Sequence, residues 1–555
     1  MKKNKFYTIA LFFVFILAFF LRFYKLSSQP ASLYWEEAAL GYDAYSILKT
    51  GKDFHGHKLP LAAFESFGDW KPSLYFYTLV PFIALFGLSE FSVRFPSAFF
   101  GSLTVMLIYF LVKELLSINS EGKNKDPLTV HKYLPLIATL LLAISPWHLQ
   151  FSRAAFEANL AVFLIILTVF LFFKAINSKP YFLIFSSLSF SLSLYAYHAA
   201  RVFTPVFVIA LGLIFIKKLK RNRKIVFVSF VLALICLLPL IREFKKNPLF
   251  SRRFQETSAF STLEPILESN KKIEEDGSTR WAKIIHHRFW YYGQIFFKHY
   301  FDHFRLDFLF LNGDNNPRHS TGETGVLYLI ELPFLIGGLF FLFYKKEWLL
   351  LPILFWLLLA PIPAGFTKAT PHALRFLISI PSLQILTAYG MVNLFFLVKK
   401  RIKCVPLIII PLFTGYAFFF LQYLHFYYQH YSYLNSQDWQ YGYKQMMSYV
   451  LENQDKYDAV YITRAQGRPS IYYFFYGKID PNKVQGQEKL VAKDQGEFLE
   501  FDKVKFGSFV PNSKNLAKTL VVASSSEVER LENKPAILRT IHFLDGQVAF
   551  VIYEI

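Results

Sequence analysis

Apolar blocks of about twenty residues, a length suited to crossing a bilayer, recur along roughly the first 430 residues of this 555-residue chain. A soluble protein of this size would bury its apolar residues in one core and would not normally arrange them in such blocks. Because a segment that crosses lipid must satisfy its own backbone hydrogen bonds, each block is predicted to be a helix. The chain is therefore predicted to be mainly α, a polytopic helical membrane protein.

The formal net charge of +21 would suit a nucleic-acid-binding protein or a protein at a membrane surface. The lysines and arginines lie in short loops between the apolar blocks, where membrane topology accounts for them. We therefore expect the lipid bilayer as a partner and no nucleic acid. About eleven spans are predicted, near residues 6–26, 95–116, 133–147, 156–175, 181–197, 202–216, 225–241, 326–344, 348–364, 375–397 and 405–427.

The orientation follows from the positive-inside rule. Lysines before the first span place the N-terminus in the cytoplasm, and this span is expected to be retained rather than cleaved. Residues 74–89 are apolar but short, and Pro81 and Gly87 interrupt them. If they crossed the membrane, the basic cluster at 217–224 would face outward, so we predict that they lie at the outer surface. The outer loops are then 27–94, 148–155, 198–201, 242–325, 365–374 and everything after about 428.

The last part of the chain differs in pattern from the apolar blocks. An amphipathic helix is predicted near 437–452, and short β-like runs follow at Ala459–Thr463, Thr519–Ala523 and Val548–Tyr553. We therefore predict two domains. Residues 1–429 form a transmembrane domain, and residues 430–555 form a small α/β domain outside the membrane.

Two adjacent carboxylates, Glu36 and Glu37, follow the first span in the outer loop. A carboxylate in a partly dry site at a membrane surface can act as a general base. The alternative is a solvated acidic pair at the start of a loop. Asp69 and Lys71 precede the block at 74–89, where Lys71 either pairs with a lipid phosphate or lies along the interface with its ammonium group in water.

Arginine and histidine side chains gather at the outer ends of later spans. Such groups on one face, opposite the acids, are what a phosphate leaving group needs, although a single arginine also commonly anchors a helix at the interface. The pair His286-His287 is interpreted as a loop feature. The substrate-binding candidates are Asp69, Lys71, Arg153, His198, Arg201, Arg318, His319, His372 and Arg375.

The sequence holds no His-Glu-x-x-His motif, no calcium loop, no Walker A motif and no Gly-rich dinucleotide motif. The two cysteines, Cys236 and Cys404, lie within apolar blocks, so neither a disulfide framework nor a cysteine zinc site is expected. No cofactor and no metal ligand is therefore assigned. The outer-loop acids and the scattered histidines leave a divalent cation open.

These motifs resemble those of bacterial dolichyl-phosphate-mannose–protein mannosyltransferase-like glycosyltransferases, which share the GT-C membrane fold with the lipid A aminoarabinose transferases. The resemblance covers most of residues 30–400. It rests on the acidic pair, on Gly41–Ser46, on Ser92–Ala98 and on the loop with His372 and Arg375. It implies a GT-C fold of 11–13 spans, and it agrees with the outer-surface juxtamembrane helices predicted from charge.

The resemblance also implies a function. The protein would transfer a sugar from a polyprenyl-phosphate-linked donor to an acceptor hydroxyl of a protein, lipid or glycan, with inversion, at the outer face of the cell membrane. The first acid of the family's Asp-Glu pair is the expected base. That position is Glu36 here, with Glu37 beside it, so this chain has Glu where Asp is usual. Lys71, Arg94, His372 and Arg375 are carried over as donor-phosphate ligands.

Two other functions are compatible with the sequence. A polytopic transporter or lipid flippase would be favoured by ionisable residues within the spans, and the central spans hold few of them. A glycan polymerase or ligase of similar fold would share the outer-face chemistry, because no motif identifies the acceptor.

Overall fold

Helices lie within every predicted span. The computed structural model describes residues 2–118, 128–246, 257–402, 404–487, 491–492, 497–509 and 518–555. In chain order, its α-helices of four residues or more are Lys2–Phe23, Trp35–Thr50, Leu74–Phe86, Glu90–Ser117, Leu128–Ile144, Pro146–Ser152, Glu157–Asn177, Phe182–Ala196, His198–Ile214, Ile216–Lys220, Arg223–Lys246, Glu264–Glu275, Arg280–Ile285, Arg288–Asp302, Leu332–Tyr344, Leu351–Leu359, Ile362–Gly365, Ala373–Phe376, Ile380–Lys399, Pro406–His425, Tyr443–Asn453, Pro469–Gly477, Pro481–Val484 and Ser525–Glu529.

Six helices among the described residues are long and apolar enough to cross a membrane, judged by length and composition. A bent pair, Lys132–Ile144 and Pro146–Ser152, meets at 58° and could form a seventh span. Shorter apolar helices include Leu74–Phe86, the block assigned to the outer surface. The predicted fold class, a polytopic helical membrane protein with a C-terminal sheet region, is confirmed. The number of eleven spans stays a prediction.

The chain divides into two compact units. One holds residues 1–21, 100–152 and 156–423, and the other holds residues 22–99, 153–155 and 424–555. The second unit therefore includes the predicted outer loop 27–94 as well as the C-terminal residues. The predicted domain boundary at residue 430 stays a prediction.

In the first unit, the helices Leu332–Tyr344 and Ile380–Lys399 cross at glycines. A Cβ atom added to Gly390 would overlap the carbonyl oxygen of Phe334, and one added to Gly338 would overlap that of Leu386. Small residues allow such close backbone contact between helices in lipid, where packing rather than the hydrophobic effect drives helix association.

The second unit contains a six-stranded mixed sheet. Its strands are β3 (Ala459–Ile462), β6 (Glu500–Phe501), β7 (Val504–Phe506), β8 (Thr519–Ala523), β9 (Ile537–His542) and β10 (Val548–Glu554). They lie in the order β6-β7-β3-β8-β10-β9, in which the central strands β7, β3 and β8 are parallel and the outer pairs are antiparallel. A separate hairpin, β1 (Ala63–Ser66) with β2 (Asp69–Pro72), lies in the predicted outer loop. A short pair, β4 (Val491–Ala492) with β5 (Glu497–Phe498), completes the strands.

Candidate functional site

Glu36 and Lys71 form an ion pair in the second unit. Glu36 lies in the first turn of the helix Trp35–Thr50, where a carboxylate is favoured by the helix dipole. Lys71 lies on β2, brought back by a two-residue turn at Phe67 and Gly68, both with positive φ as a type I′ hairpin requires. The Lys71 side chain is 7% exposed and that of Glu36 is 30% exposed, so Glu36 is the more exposed member of the pair.

Glu37 lies one residue further along the helix and has different surroundings. Arg94 donates to its two carboxylate oxygens at 3.0 and 2.9 Å, and both side chains are fully buried. Arg94 also donates to the carbonyl oxygens of Leu26, Pro30 and Ser32. The charges of Glu37 and Arg94 therefore compensate each other inside the protein. The bonds from Arg94 to the backbone hold the segment that leads into the helix Trp35–Thr50.

Asp69 and Arg153 each bind nearby backbone. The Asp69 carboxylate accepts the backbone N–H of Trp70 at 2.8 Å, within the hairpin. Arg153 is buried and donates to the carbonyl oxygens of Tyr24 and Gln29, at 2.6 and 3.2 Å. These contacts order the polypeptide around the acidic pair.

The other candidates lie in the first unit. The His198 Nδ1 and Arg201 Nη1 atoms are 3.2 Å apart, and Arg201 also donates to the carbonyl oxygen of Leu194. Arg375 donates to the Thr367 hydroxyl at 2.7 Å. The carbonyl oxygen of Arg318 accepts from the Gln150 amide at 2.9 Å. Arg318 thus lies in a loop and Arg375 in the short helix Ala373–Phe376, and polar contacts hold both segments.

Asp314, His319 and His372 form a buried polar cluster in the same unit. The Asp314 Oδ2 atom lies 3.1 Å from His319 Nδ1 and 3.9 Å from His372 Nδ1, and it accepts the backbone N–H of Ala373 at 2.7 Å. Burial lowers the pKa of His372 well below its usual range. Burial acts to raise the pKa of Asp314, but the pKa is lowered, because hydrogen bonds from His319 and the Asn316 backbone and the charges of His319 and His372 together outweigh burial.

This cluster is the group that the described residues offer to a metal ion, since its ligand atoms all lie within 4.8 Å of one another. A carboxylate and neutral imidazoles are the forms that bind zinc and similar cations. The sequence singled out both histidines but not Asp314. Its place in the polar run Gly313–His319, five residues before His319, is the signal that could have identified it.

The sequence also contained no indication of the C-terminal residues that hold the start of the helix Trp35–Thr50. The backbone N–H of Trp35 donates to the side-chain oxygen of Gln440 at 2.8 Å. The Tyr472 hydroxyl donates to the carbonyl oxygen of Leu33 at 2.9 Å. These partners lie more than 400 residues away along the chain, and no local pattern could have indicated them.

Comparison with known proteins gives matches in structure alone. No protein-family profile matches the chain, and no curated protein matches it. The crystal structure of ArnT from Cupriavidus metallidurans in the apo state superimposes with a TM-score of 0.55 at 10% identity, covering 100% of this chain and 98% of that one. The same protein bound to undecaprenyl phosphate gives 0.55 at 10% identity, covering 99% and 98%. An oligosaccharyltransferase from Archaeoglobus fulgidus gives a TM-score of 0.47 at 12% identity, over 86% of this chain and 63% of its own. The chain thus has the GT-C fold, as the resemblance of its outer-loop motifs implied.

Proposed function

We propose that this protein is a membrane glycosyltransferase that moves a sugar from a polyprenyl-phosphate carrier to an acceptor hydroxyl of a protein, lipid or glycan. The observation that carries the proposal is the Glu36–Lys71 pair, which sets a partly exposed base beside a buried cation. ArnT, which has the same fold, has been crystallised with undecaprenyl phosphate, and this supports a donor of that chemical class.

The reaction is a single displacement. The Glu36 carboxylate takes the proton of the acceptor hydroxyl, and the acceptor oxygen forms a bond to the anomeric carbon. The bond between that carbon and the phosphate oxygen breaks, and the bonding electrons leave with the polyprenyl phosphate. Because attack and departure are in line, the configuration at the anomeric carbon inverts.

Lys71 has two successive partners in this mechanism. Without donor, its ammonium group pairs with Glu36. When donor binds, the phosphate becomes the ammonium group's partner, and the Glu36 carboxylate becomes available as a base. A cation held in a partly dry site also stabilises the charge that develops on the leaving phosphate. The isoprenoid chain of the donor lies in the lipid.

Glu36 is a better candidate for the base than Glu37. The Glu37 carboxylate is fully buried and receives two hydrogen bonds from Arg94 and one from the backbone N–H of Ala155. A base must reach the hydroxyl that it deprotonates. Glu36 meets that requirement through its exposure, whereas Glu37 holds the helix in place.

The test uses the full protein in right-side-out lipid vesicles, with radiolabelled polyprenyl-phosphate sugars supplied at the outer face. This side follows from the proposed orientation, with the N-terminus in the cytoplasm and the site and the C-terminal residues outside. We expect transfer or release of sugar from the wild type and a loss of at least about 100-fold in Glu36→Gln, since that variant keeps the shape but not the base. Glu65→Gln, on β1 of the adjoining hairpin, is the matched control and should keep its activity. Wild-type turnover in Glu36→Gln would disprove the assignment.

A further inference from the structure

We propose that Arg468, from the C-terminal part of the chain, is a binding residue for the donor phosphate together with Lys71. This inference rests on the proposed function and assigns a role to the C-terminal sheet region. That region would complete the donor site rather than pack passively beside it.

Arg468 and Lys71 lie near the same aromatic ring. The Arg468 guanidinium carbon lies 4.2 Å from the centroid of the Phe67 ring, and the Lys71 ammonium nitrogen lies 6.0 Å from the same centroid. The guanidinium carbon and the ammonium nitrogen are therefore at most about 10 Å apart. A phosphate that accepts a charge-assisted hydrogen bond on each of two oxygens joins donors roughly 8 Å apart. A phosphate placed between the two groups can therefore contact both once either flexible side chain shifts slightly towards the other.

Aromatic rings hold the Arg468 guanidinium group in place. Its guanidinium carbon also lies 5.9 Å from the ring of Trp35, the residue before Glu36. The preceding Gly467 has a φ of +134°, and a Cβ atom there would come within 3.0 Å of the Trp35 ring. This close contact, which requires glycine, holds the segment against the start of the catalytic helix. The aromatic contacts fix the guanidinium group next to the residues that carry the ion pair.

Positive charge is gathered around Arg468. Glu497 is the carboxylate near Arg468, and it is buried. Arg464 already donates to it from two nitrogens, at 3.0 and 2.8 Å, and the Ser470 hydroxyl donates to its other oxygen. Two guanidinium groups therefore share one carboxylate. Arg464 and Arg468 thus place two positive charges beside this buried carboxylate, and such a gathering of positive charge favours an anion nearby.

The segment that carries Arg468 follows a central strand of the sheet. The segment 463–468 leaves the carboxyl end of β3, which lies between the parallel strands β7 and β8. Ligands of open α/β sheets bind outside the carboxyl ends of the strands. The edge of the sheet that usually binds ligands is thus the edge that presents Arg468 to Trp35 and Phe67.

The test measures binding of undecaprenyl phosphate, with undecaprenol as the uncharged probe, to the full protein in nanodiscs. We expect Arg468→Ala to weaken binding of the phosphate about tenfold or more and Arg468→Lys to weaken it less, with undecaprenol unaffected. Arg539→Ala is the matched control, because that guanidinium carbon lies 5.5 Å from the Tyr449 ring in the same unit. It should bind both probes as the wild type does.

The possible outcomes separate this inference from the proposed function. Wild-type affinity of Arg468→Ala for undecaprenyl phosphate would overturn the inference and leave the proposed function intact. Equal weakening toward both probes would show a structural role and would also overturn it. Selective weakening in a protein that transfers no sugar would support the binding role and count against the proposed reaction. If Arg468→Ala fails to fold, Arg468→Gln replaces it, with the same expected selectivity.

Discussion

Replacing Arg94 with methionine should destabilise the second unit strongly. Methionine fills a similar volume but donates no hydrogen bonds. Arg94 makes five of them, two to Glu37 and three to the carbonyl oxygens of residues 26, 30 and 32. All of these acceptors would lose a donor in a fully buried site, and Glu37 would be left with one backbone donor, from Ala155.

The magnitude follows from these contacts. Removing one member of a buried ion pair costs about 3–5 kcal/mol. Leaving buried carbonyl groups without a donor adds about 1 kcal/mol or more for each group that water cannot reach. For a unit of roughly 200 residues, each kcal/mol lowers the melting temperature by about 2–4 °C. We therefore expect Arg94→Met to lower the melting temperature by about 10 °C or more.

The assay is thermal unfolding in nanodiscs, followed by tryptophan fluorescence, with sugar transfer measured in parallel. Glu37→Gln should also lose stability, and the double variant should lose less than the sum of the two single variants, because each removes the partner of the other. Glu36→Gln should lose less stability than Glu37→Gln, because the Glu36 side chain is partly exposed whereas the Glu37 side chain is fully buried. If Arg94→Met melted within about 2 °C of the wild type and lost only donor binding, Arg94 would be a phosphate ligand, as the family resemblance suggested, and our reasoning would be wrong.

Two further predictions concern single buried residues. Burial and the charge of Asp53 raise the pKa of Asp43 well above its usual value, so the folded protein keeps this acid neutral while the unfolded chain ionises it. The stability that Asp43 contributes is therefore present below pH 4 and is lost as the pH rises. Asp43→Asn should raise the melting temperature at pH 7 but not near pH 4. An equal gain at both pH values would contradict this expectation. Gly390→Ala should destabilise the crossing at Phe334 by more than about 2 kcal/mol, measured by chemical denaturation, since the backbone must move to admit a methyl group. Gly212→Ala, in a helix with open space around it, is the control, and equal effects of the two changes would refute the packing argument.

The membrane helices could be predicted from the sequence because lipid imposes a single requirement on each of them. A helix in lipid must be apolar over its whole length, so hydropathy alone locates it. The same reasoning found β8 and β10, whose residues are largely buried. It missed β9 (Ile537–His542), because most of that strand is exposed and its sequence has no apolar run. An edge strand of this kind is specified by its partner β10 and not by its own composition.

The candidate site was predictable only in part. The sequence identifies the acids and Lys71 as candidates because they lie in one polar loop beside a predicted span. That Lys71 reaches Glu36 depends on the turn at Phe67 and Gly68, which a sequence reader can recognise only after identifying the hairpin. The contact of Arg468 with Phe67 depends on tertiary packing across hundreds of residues, for which the chain holds no local signal.

Glu36 and Glu37 show why adjacency in sequence does not identify a catalytic acid. Successive residues of a helix point about 100° apart, so the two side chains necessarily have different surroundings. One direction leads to Arg94 and full burial, and the other leads to Lys71 and partial exposure. In the proposed mechanism an accessible base needs a firmly held helix, and the buried Glu37–Arg94 pair fixes the helix that carries Glu36. Glu37→Gln should therefore lower stability more than Glu36→Gln does, and Glu36→Gln should lower turnover far more than it lowers stability.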